Sequence, residues 1–313
     1  MNIVALAGGV GGAKLAHGLA QILPPEQLTI VVNTGDDLEH LGLHISPDLD
    51  TVLYTLAGLA NPETGWGQRD ETWSFMAALA RLGGPAWFNL GDRDLATHVE
   101  RTRRRRAGQS LTHITATFCA ELGVRALLLP MSDAPVRTWV DTDEGALEFQ
   151  EYFVHRRCAP RVRAVRFVGA EAAEPTPAVV EALERCDAVV ICPSNPFLSI
   201  DPILSLRGLR ARVAAKLVVA VSPIVGGQAL KGPAAKMLGE LGLEVSARSV
   251  AAHYRDCLAG FVLDEVDAAL AAELEAGGVR VLVTDTIMRS DPERARLAQA
   301  TLSFVAALAA GPR

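Results

Sequence analysis

Short, uninterrupted apolar runs alternate along the chain with segments whose apolar positions recur at helical spacing. Apolar runs of this kind are typical of strands that are covered on both faces of a parallel sheet. The runs occupy residues 2–7, 28–32, 126–129, 188–191, 217–221 and 279–283. The helical segments include residues 72–81, 111–122, 177–184, 234–241, 267–276 and 294–309. This alternation predicts an α/β fold built on a doubly wound, mainly parallel sheet.

Residues 60–160 are less regular than the rest of the chain. They contain all of its tryptophans, Trp66, Trp73, Trp87 and Trp139. We interpret this stretch as a partly helical lid that elaborates the sheet and binds substrate, rather than as an independent domain. No internal repeat or low-complexity linker divides residues 1–313, so a single domain is predicted.

Composition narrows the possible partners of the protein. Half of the 313 residues are hydrophobic, and a net charge of −6 argues against nucleic acid or an anionic membrane as a general partner. The basic run at 103–106 is interpreted as a solvated segment or as an attractor for an anion. Five cysteines without metal-ligand spacing, no membrane-length apolar run and no signal peptide predict a cytoplasmic protein.

A glycine-rich turn follows the first predicted strand and precedes a helical segment. Its glycines are Gly8, Gly9, Gly11 and Gly12. Without Cβ atoms, main-chain N–H groups at a helix N-terminus can approach a phosphate, and Lys14 follows closely. The spacing fits neither a Walker A loop, because Ala13 and Leu15 occupy its key positions, nor a GxGxxG loop. We predict a phosphate site, with a tight turn that binds nothing as the alternative.

Polar residues follow four other predicted strands at their carboxyl ends, where open parallel sheets bind ligands. The segments are NTGDD (33–37), CPSN (192–195), SPIVGG (222–227) and TDT (284–286). Each of them alone could be an ordinary turn. Together with the glycine turn, they favour a nucleotide-sized site at one edge of the sheet.

Two carboxylates, Asp48 and Asp50, precede an apolar helix predicted over 51–59. In a non-helical segment after Pro47, side chains two residues apart can face the same hard cation. Mg²⁺ commonly takes one or two protein carboxylates, together with water and substrate phosphates. The alternative is that one of the two carboxylates caps the helix.

The segment WFNLGDRDLATH (87–98) combines aromatic surface with charged side chains. It could hold a planar ring system, or it could be a salt-bridged turn in which His98 caps a helix. No Ser-His-Asp order, HExxH motif or catalytic cysteine pair is present. A phosphate site, oxygen ligands for a metal and an aromatic surface suit phosphoryl-type transfer, in which the protein positions reactants and neutralises charge.

These motifs, in this order, resemble the CofD family of transferases in coenzyme F420 biosynthesis, called FbiA in some bacteria. Matching stretches span nearly the whole chain and include AGGVGGAK (7–14), SPDLDTVLYTLAGL (46–59), WFNLGDRDLATH (87–98) and VSPIVGGQALKGPAAKM (221–237). The resemblance implies a Rossmann-like fold that is usually a homodimer. It implies transfer of phospholactate, phosphoenolpyruvate or phosphoglycerate from a guanosine diphospho-donor to the terminal ribityl hydroxyl of the deazaflavin Fo. Mg²⁺ would assist and GMP would leave.

The resemblance also implies roles for individual residues. Metal binding and hydroxyl activation, the catalytic roles, fall on Asp48 and Asp50. Contacts to Fo are expected at Asp50, Asn89, Trp87 and Arg93. The diphosphate is expected at Gly8, Gly9, Gly11, Gly12 and Lys14. The guanosine end is assigned to Ser194, Asn195, Ser222 and Lys231.

Two other functions are weighed against this one. A related branch of gluconeogenesis factors, regulatory proteins that bind UDP-sugars, shares the glycine turn and the acidic strand end that follows. In that branch a glycine- and serine-rich string follows the paired aspartates, whereas here Asp36 and Asp37 lead into Leu38 and Glu39. An NAD-dependent oxidoreductase is disfavoured because the GxGxxG spacing fails.

Overall fold

A seven-stranded parallel sheet forms the centre of the computed structural model, which describes residues 1–311. Its strand order is β14-β13-β10-β9-β1-β2-β5, and each neighbouring pair is parallel. The strands of residues 1–311 are β1 (Ile3–Ala7), β2 (Leu28–Val32), β3 (Leu38–His40), β4 (Leu43–Ile45), β5 (Leu127–Pro130), β6 (Arg137–Thr142), β7 (Gly145–Glu148), β8 (Val162–Val168), β9 (Ala188–Ile191), β10 (Leu217–Val221), β11 (Ile224–Val225), β12 (Gln228–Ala229), β13 (Gly260–Leu263) and β14 (Arg280–Val283).

Helices cover both faces of this sheet. They are α1 (Gly9–Ile22), α2 (Pro47–Leu56), α3 (Ser74–Arg81), α4 (Asp92–Arg106), α5 (Leu111–Glu121), α6 (Pro177–Arg185), α7 (Asp201–Leu204), α8 (Leu209–Ala214), α9 (Ala234–Glu240), α10 (Ala247–His253), α11 (Ala271–Ala276) and α12 (Asp291–Ala309). Within residues 1–311, none of them is long and apolar enough to cross a membrane.

The sequence of β1 shows why its apolar run is uninterrupted. Successive side chains of a strand point to opposite faces of the sheet. Val4 and Leu6 therefore enter one core, and Ile3, Ala5 and Ala7 enter the other. Both cores are closed by helices, so neither face tolerates a polar residue. The predicted doubly wound, Rossmann-like α/β fold is confirmed.

The order of the strands reverses direction in sequence at β1. From β1 the chain continues to β2 and β5 on one side, and later returns to β9, β10, β13 and β14 on the other side. Such a switch point opens a crevice at the carboxyl ends of the strands, where α/β proteins bind ligands. The glycine turn at residues 8–12 follows β1 directly and therefore lies at this crevice.

Residues 60–160 do not form one continuous element outside the sheet. They include β5, a strand of the central sheet, as well as α3, α4 and α5. They also include the β6–β7 hairpin, which pairs with β8 in a separate three-stranded antiparallel sheet. The role of this stretch as a substrate-binding lid stays a prediction.

Candidate active site

The glycine turn joins three segments that are far apart in sequence. The Gly9 N–H donates to Asp48 Oδ1 over 2.7 Å, and the Gly8 N–H donates to Ser194 Oγ over 3.3 Å. The turn therefore lies between the start of α2 and the loop after β9. Of the four strand-end segments predicted to meet at the turn, CPSN (192–195) contacts it directly here, through Ser194.

The glycines of this turn are required mainly by packing within the protein. A Cβ at Gly11 would collide with the carbonyl oxygen of Pro193, and one at Gly12 would press on Ser194 Oγ. A Cβ at Gly8 would collide with Asp48. The expectation that these bare positions face a ligand is wrong for Gly11, whose missing side chain admits the protein's own backbone. Whether the turn binds phosphate stays a prediction.

The amino end of α1 is nevertheless suited to an anion. Its first turn contains no acidic residue, and the N-cap residue Gly8 offers no side chain to the helix amides. Helix N-termini carry partial positive charge and N–H groups without intrahelical partners. Asp48 occupies the Gly9 N–H, and the amides that follow Gly9 in the first turn are suited to a further anionic group.

Positive side chains gather along one side of α1. Lys14 Nζ donates to the Met288 carbonyl oxygen over 2.8 Å. Burial, together with the nearby charges of Arg294 and Lys231, lowers the pKa of Lys14. Lys231 is exposed, and its ammonium group donates to the Thr64 carbonyl oxygen over 3.2 Å. This group of cations would favour a multiply charged anion beside the glycine turn.

Asp48 is the carboxylate that reaches the glycine turn. Its Oδ2 accepts a hydrogen bond from Asn33 Nδ2 over 2.9 Å, while its Oδ1 binds the Gly9 N–H. Burial raises the pKa of Asp48 to about 6, although these two hydrogen bonds oppose the shift. Asp36 is buried beside it, and burial followed by the charge of Asp48 raises the pKa of Asp36 well above its usual range.

Burial is the main cause of both raised pKa values, and neighbouring carboxylates add to the rise. Asn33 Nδ2 is also within 3.4 Å of Asp36 Oδ1, so one amide lies between the two carboxylates. Carboxylate oxygens are hard ligands of the kind that Mg²⁺ prefers. The residues present therefore fit a divalent cation at Asp36 and Asp48.

Asp50 lies on a different side of α2 from Asp48. Helix α2 begins at Pro47, so both carboxylates are in its first turn. At about 100° per residue, side chains two positions apart point about 200° away from each other. The prediction of a non-helical segment in which both carboxylates face one cation is wrong for this reason.

Asp50 faces α4 and a buried arginine. Both carboxylate oxygens accept hydrogen bonds from the Arg101 guanidinium, which is 1% exposed, and the Arg101 Nη1 bond measures 3.0 Å. His98 Nδ1 is 3.6 Å from Asp50 Oδ2. Burial raises the pKa of Asp50, while the charge of Arg101 opposes that shift. The Arg101 guanidinium is therefore the cationic partner of Asp50 in this structure.

A second cluster near Asp50 has the composition of a metal site. Asp50, Asp94 and His98 each offer a ligand atom, and these atoms lie within 4.8 Å of one another. However, Arg101 already binds both oxygens of Asp50, and Tyr54 Oη donates to Asp94 over 2.7 Å. A cation placed here would meet the guanidinium, so we interpret the cluster as an ion-pair network that joins α2 to α4.

The residues predicted to hold Fo are dispersed. Trp87 stacks on His155, with ring centroids 5.2 Å apart, and its edge-to-face contact with His40 closes a small satellite core. Asn89 is exposed, and Arg93 is 56% exposed with its guanidinium on the Arg69 carbonyl oxygen. Neither Trp87, Asn89 nor Arg93 hydrogen-bonds Asp48 or Asp50 within residues 1–311, and their role in Fo binding stays a prediction.

Two of the residues predicted to bind guanosine, Asn195 and Ser222, already form hydrogen bonds within their own loops. Asn195 Oδ1 accepts from the Phe197 and Leu198 amides and so begins the π-helical turn Pro196–Ile200. Ser222 Oγ donates to the Ile224 carbonyl oxygen and accepts from the Ile224 amide. These bonds match the ordinary-turn alternative for the strand ends, and contacts to guanosine stay a prediction.

Sequence reasoning did not single out Asn33, Asp36 or Arg101. The first two stand in the NTGDD segment that was recognised as a strand end, but nothing in the segment distinguishes its members. Arg101 had a usable signal, because Asp94, His98 and Arg101 follow one another at i, i+4 and i+7. That spacing places three ionisable residues on one face of a helix.

The fold, together with the residues gathered around the glycine turn, defines a doubly wound α/β protein. Its candidate ligand site lies at the topological switch point. Residues 3–297 match the family described as 2-phospho-L-lactate transferase CofD. The chain is 44% identical over 312 residues to a phosphoenolpyruvate transferase of Streptomyces griseus, covering 97% of this chain and 98% of that protein. The chain therefore belongs to the CofD family, as its motifs predicted.

Other comparisons agree with this assignment. The chain is 42% identical over 297 residues to a 2-phospho-L-lactate transferase of Methanosarcina mazei, covering 95% of this chain and 98% of that protein. A crystal structure of a UPF0052 family member from Bacillus halodurans aligns with a TM-score of 0.62 at 14% identity, covering 96% of this chain and 98% of that one. The sequence relatives support a transferase, and the structural likeness shows the fold alone.

Proposed function

We propose that this protein transfers a phospho-carboxylate unit from a guanosine diphospho-donor to the terminal ribityl hydroxyl of Fo in coenzyme F420 biosynthesis. The observation that carries the proposal is the hydrogen bond between Asp48 and the first amide of α1. It brings a buried carboxylate, whose pKa burial raises to about 6, to the N-terminus of a helix whose first turn contains no acidic residue. A site for phosphoryl transfer needs a phosphate-binding site and a cation site that can both contact the transferred phosphoryl group.

In the proposed reaction, the ribityl oxygen attacks the phosphorus distal to guanosine. A new P–O bond forms, the bond to the bridging oxygen breaks, and GMP leaves. The hydroxyl loses its proton as it attacks, and the carboxylates of Asp36 and Asp48 are the bases that would accept it. The N-terminus of α1, with Lys14 and Lys231 along its side, holds the diphosphate and offsets the charge that develops on it.

Mg²⁺ would be held by Asp36 and Asp48. When bound, it would supply charge neutralisation at the phosphates and lower the pKa of the attacking hydroxyl. Asn33 keeps the two carboxylates at a fixed separation by donating to both of them. The family resemblance implied a metal ligand at Asp50 as well, but in this structure Arg101 binds both of its oxygens.

Relatives named for two different transferred groups are about equally similar to this chain. Relatives named phosphoenolpyruvate transferase and 2-phospho-L-lactate transferase are 44% and 42% identical to this chain. We therefore propose the class, a phospho-carboxylate, and a direct comparison of donors. A homodimer is part of the proposal and can be checked by light scattering.

The test supplies Fo, MgCl₂ and each of three guanylated donors, carrying lactate, enolpyruvate or glycerate, to the purified protein. Chromatography with deazaflavin fluorescence detection follows the product, and GMP is quantified in the same samples. Reactions without Fo provide the control for donor hydrolysis. Turnover with at least one donor is expected, and no turnover with any of them would refute the proposal.

The regulatory alternative is tested in parallel. A gluconeogenesis factor would bind a UDP-sugar and release no GMP from any guanylated donor. Calorimetric titration with UDP-sugars, and with NADH for the oxidoreductase alternative, should show no saturable binding at concentrations that saturate the donor site. Binding of a UDP-sugar without any transferase turnover would favour the regulatory function.

A further inference from the structure

A cleft of about 390 Å³ opens beyond the carboxyl ends of β2 and β5. Its walls come from the segment after β2, the carboxyl end of α4 and the loop between β5 and β6. The side chains that matter here are Thr34, Asp37, Arg105, Arg106 and Arg137. Among residues 1–311, its lining includes no Phe, Tyr or Trp, and its planar side chains are those of His44 and the arginines.

Three arginines in this cleft form no ion pair with any carboxylate of residues 1–311. Within residues 1–311, Arg105 makes no ion pair or side-chain hydrogen bond, and Arg137 donates only to the Val136 carbonyl oxygen over 3.0 Å. Arg106 donates to the Gly42 carbonyl oxygen over 2.9 Å. All three guanidinium charges are therefore uncompensated by an ion pair.

The basic run at 103–106 thus has two different faces. Arg103 and Arg104 both bind the Glu100 carboxylate, at 2.7 and 2.6 Å, and lie away from the cleft. Arg105 and Arg106 are the members that line it. Arg105 and Arg106, rather than the whole basic run, are therefore available to bind an anion.

Of the three acids that line the cleft, two are already bound to other groups, and none forms an ion pair with its arginines within residues 1–311. Asp37 Oδ2 accepts from His44 Nε2 over 3.0 Å and from Ser46 Oγ over 2.9 Å. Asp133 Oδ1 accepts from the amide and the hydroxyl of Thr112. Glu39 is exposed. These carboxylates do not neutralise the arginines.

Two buried polar atoms in the same wall have no partner. Thr34 Oγ1 is one and Asp37 Oδ1 is the other, and both side chains are more than nine-tenths buried. Buried polar atoms in folded proteins are almost always hydrogen-bonded. The Thr34 hydroxyl can donate to an anionic ligand in this cleft, whereas Asp37 Oδ1 can only accept a hydrogen bond from a donor.

The cleft adjoins the candidate active site through its acidic wall. Asp37 follows Asp36 directly in sequence, and its charge acts on Asp48, which binds the first amide of α1. Asp37 therefore belongs both to the wall of the cleft and to the group of carboxylates around Asp48.

We propose that this cleft binds the carboxylate of the transferred phospho-carboxylate, through Arg105 and Arg137. The inference rests on the proposed function and adds to it the subsite that recognises the transferred group. Planar guanidinium groups match carboxylates in shape as well as charge. The phosphates have their own site at α1, so the carboxylate is the donor's remaining anion. Discrimination among lactate, enolpyruvate and glycerate is then decided in this cleft.

The test compares Arg105→Gln and Arg137→Gln with the wild type and with Arg103→Gln as the matched control. The measured quantities are the KM for each guanylated donor, the KM for Fo and the dissociation constant of GDP. GDP has no carboxylate, so its affinity reports the rest of the donor site and the integrity of the fold. We expect the donor KM to rise at least tenfold in both cleft variants. GDP affinity and the KM for Fo should stay within about twofold, and Arg103→Gln should behave as the wild type.

The possible outcomes distinguish a failure of the proposed function from a failure of the carboxylate-binding assignment. An inactive wild type refutes the proposed function and this inference with it. An active wild type whose cleft variants keep a normal donor KM refutes only the inference. So does a rise confined to the KM for Fo, which would assign the cleft to the acceptor. An equal loss of GDP and donor affinity would assign it to the nucleotide.

Discussion

The buried ion pair between α2 and α4 makes a strong prediction about stability. Replacing Arg101 by methionine keeps much of the side-chain volume but leaves the Asp50 carboxylate, which is 4% exposed, without its cation. Breaking a buried pair in this way costs about 3–5 kcal/mol, because one charge stays buried and unpaired. With an unfolding entropy of about 2.1 cal/mol/K per residue, that loss lowers Tm by roughly 5–8 °C for a chain of this size.

The pH dependence of the effect identifies its cause. Burial already raises the pKa of Asp50 in the folded protein, and loss of Arg101 raises it further. An acid whose folded pKa is raised contributes stability at low pH and loses it as pH rises through that pKa. Arg101→Met should therefore be destabilised more at pH 7 than at pH 5, relative to the wild type.

The assay is thermal and urea unfolding at both pH values, with Arg103→Met as the matched control. Arg103 lies on the same helix but is 66% exposed and binds Glu100, so its loss should change Tm by less than about 1 °C. The double variant Asp50→Asn, Arg101→Met should be more stable than Arg101→Met alone, because no charge is left buried. A Tm for Arg101→Met equal to that of the wild type, or a deficit independent of pH, would refute the reasoning.

Three further predictions concern Asp48 and the proposed metal site. Asp48→Asn should lower kcat at least 100-fold while the affinity for GDP without metal stays within about threefold, measured by steady-state kinetics and calorimetry; a normal kcat would contradict its role. Excess EDTA should abolish turnover, and Mg²⁺ or Mn²⁺ should restore it, since the proposed ligands are oxygens; full turnover in verified metal-free enzyme would contradict this. Because the folded pKa of Asp48, about 6, lies above the ordinary 3.8, its stabilising contribution should be lost between about pH 4 and 6. Urea unfolding should show this loss in the wild type and not in Asp48→Asn.

Much of the central sheet could be predicted from residues alone, and the reason is burial on both faces. The strands β2, β9 and β10 have the bounds that their apolar runs predicted. Strand β13 was missed: it is as short as β9, but it begins with a glycine, which interrupts the apolar run. A Cβ at Gly260 would meet Leu308 and Phe304 of α12, so the glycine serves helix-on-sheet packing that no local pattern reveals.

The start of α2 was also predicted wrongly, and here the sequence did contain a signal. Pro47 occupies the first helical position, where its fixed φ and missing N–H are favourable. Acidic residues are likewise favoured in a first turn by the helix dipole. The alternative in which Asp48 or Asp50 caps the helix was also wrong, because both residues lie inside the first turn of α2 and Ser46 is its N-cap residue.

The position of the helix start changes what the two carboxylates can do together. Residues two apart in a helix face different neighbours, so the first turn of α2 places Asp48 at the glycine turn and Asp50 at Arg101. The same turn therefore connects the candidate active site to α4 through a buried ion pair. Helix α4 continues to Arg105 and Arg106, which line the cleft beyond β2. The position of those arginines relative to the glycine turn thus depends on Asp50, and this gives Asp50 a structural reason to be present whether or not it contacts a ligand.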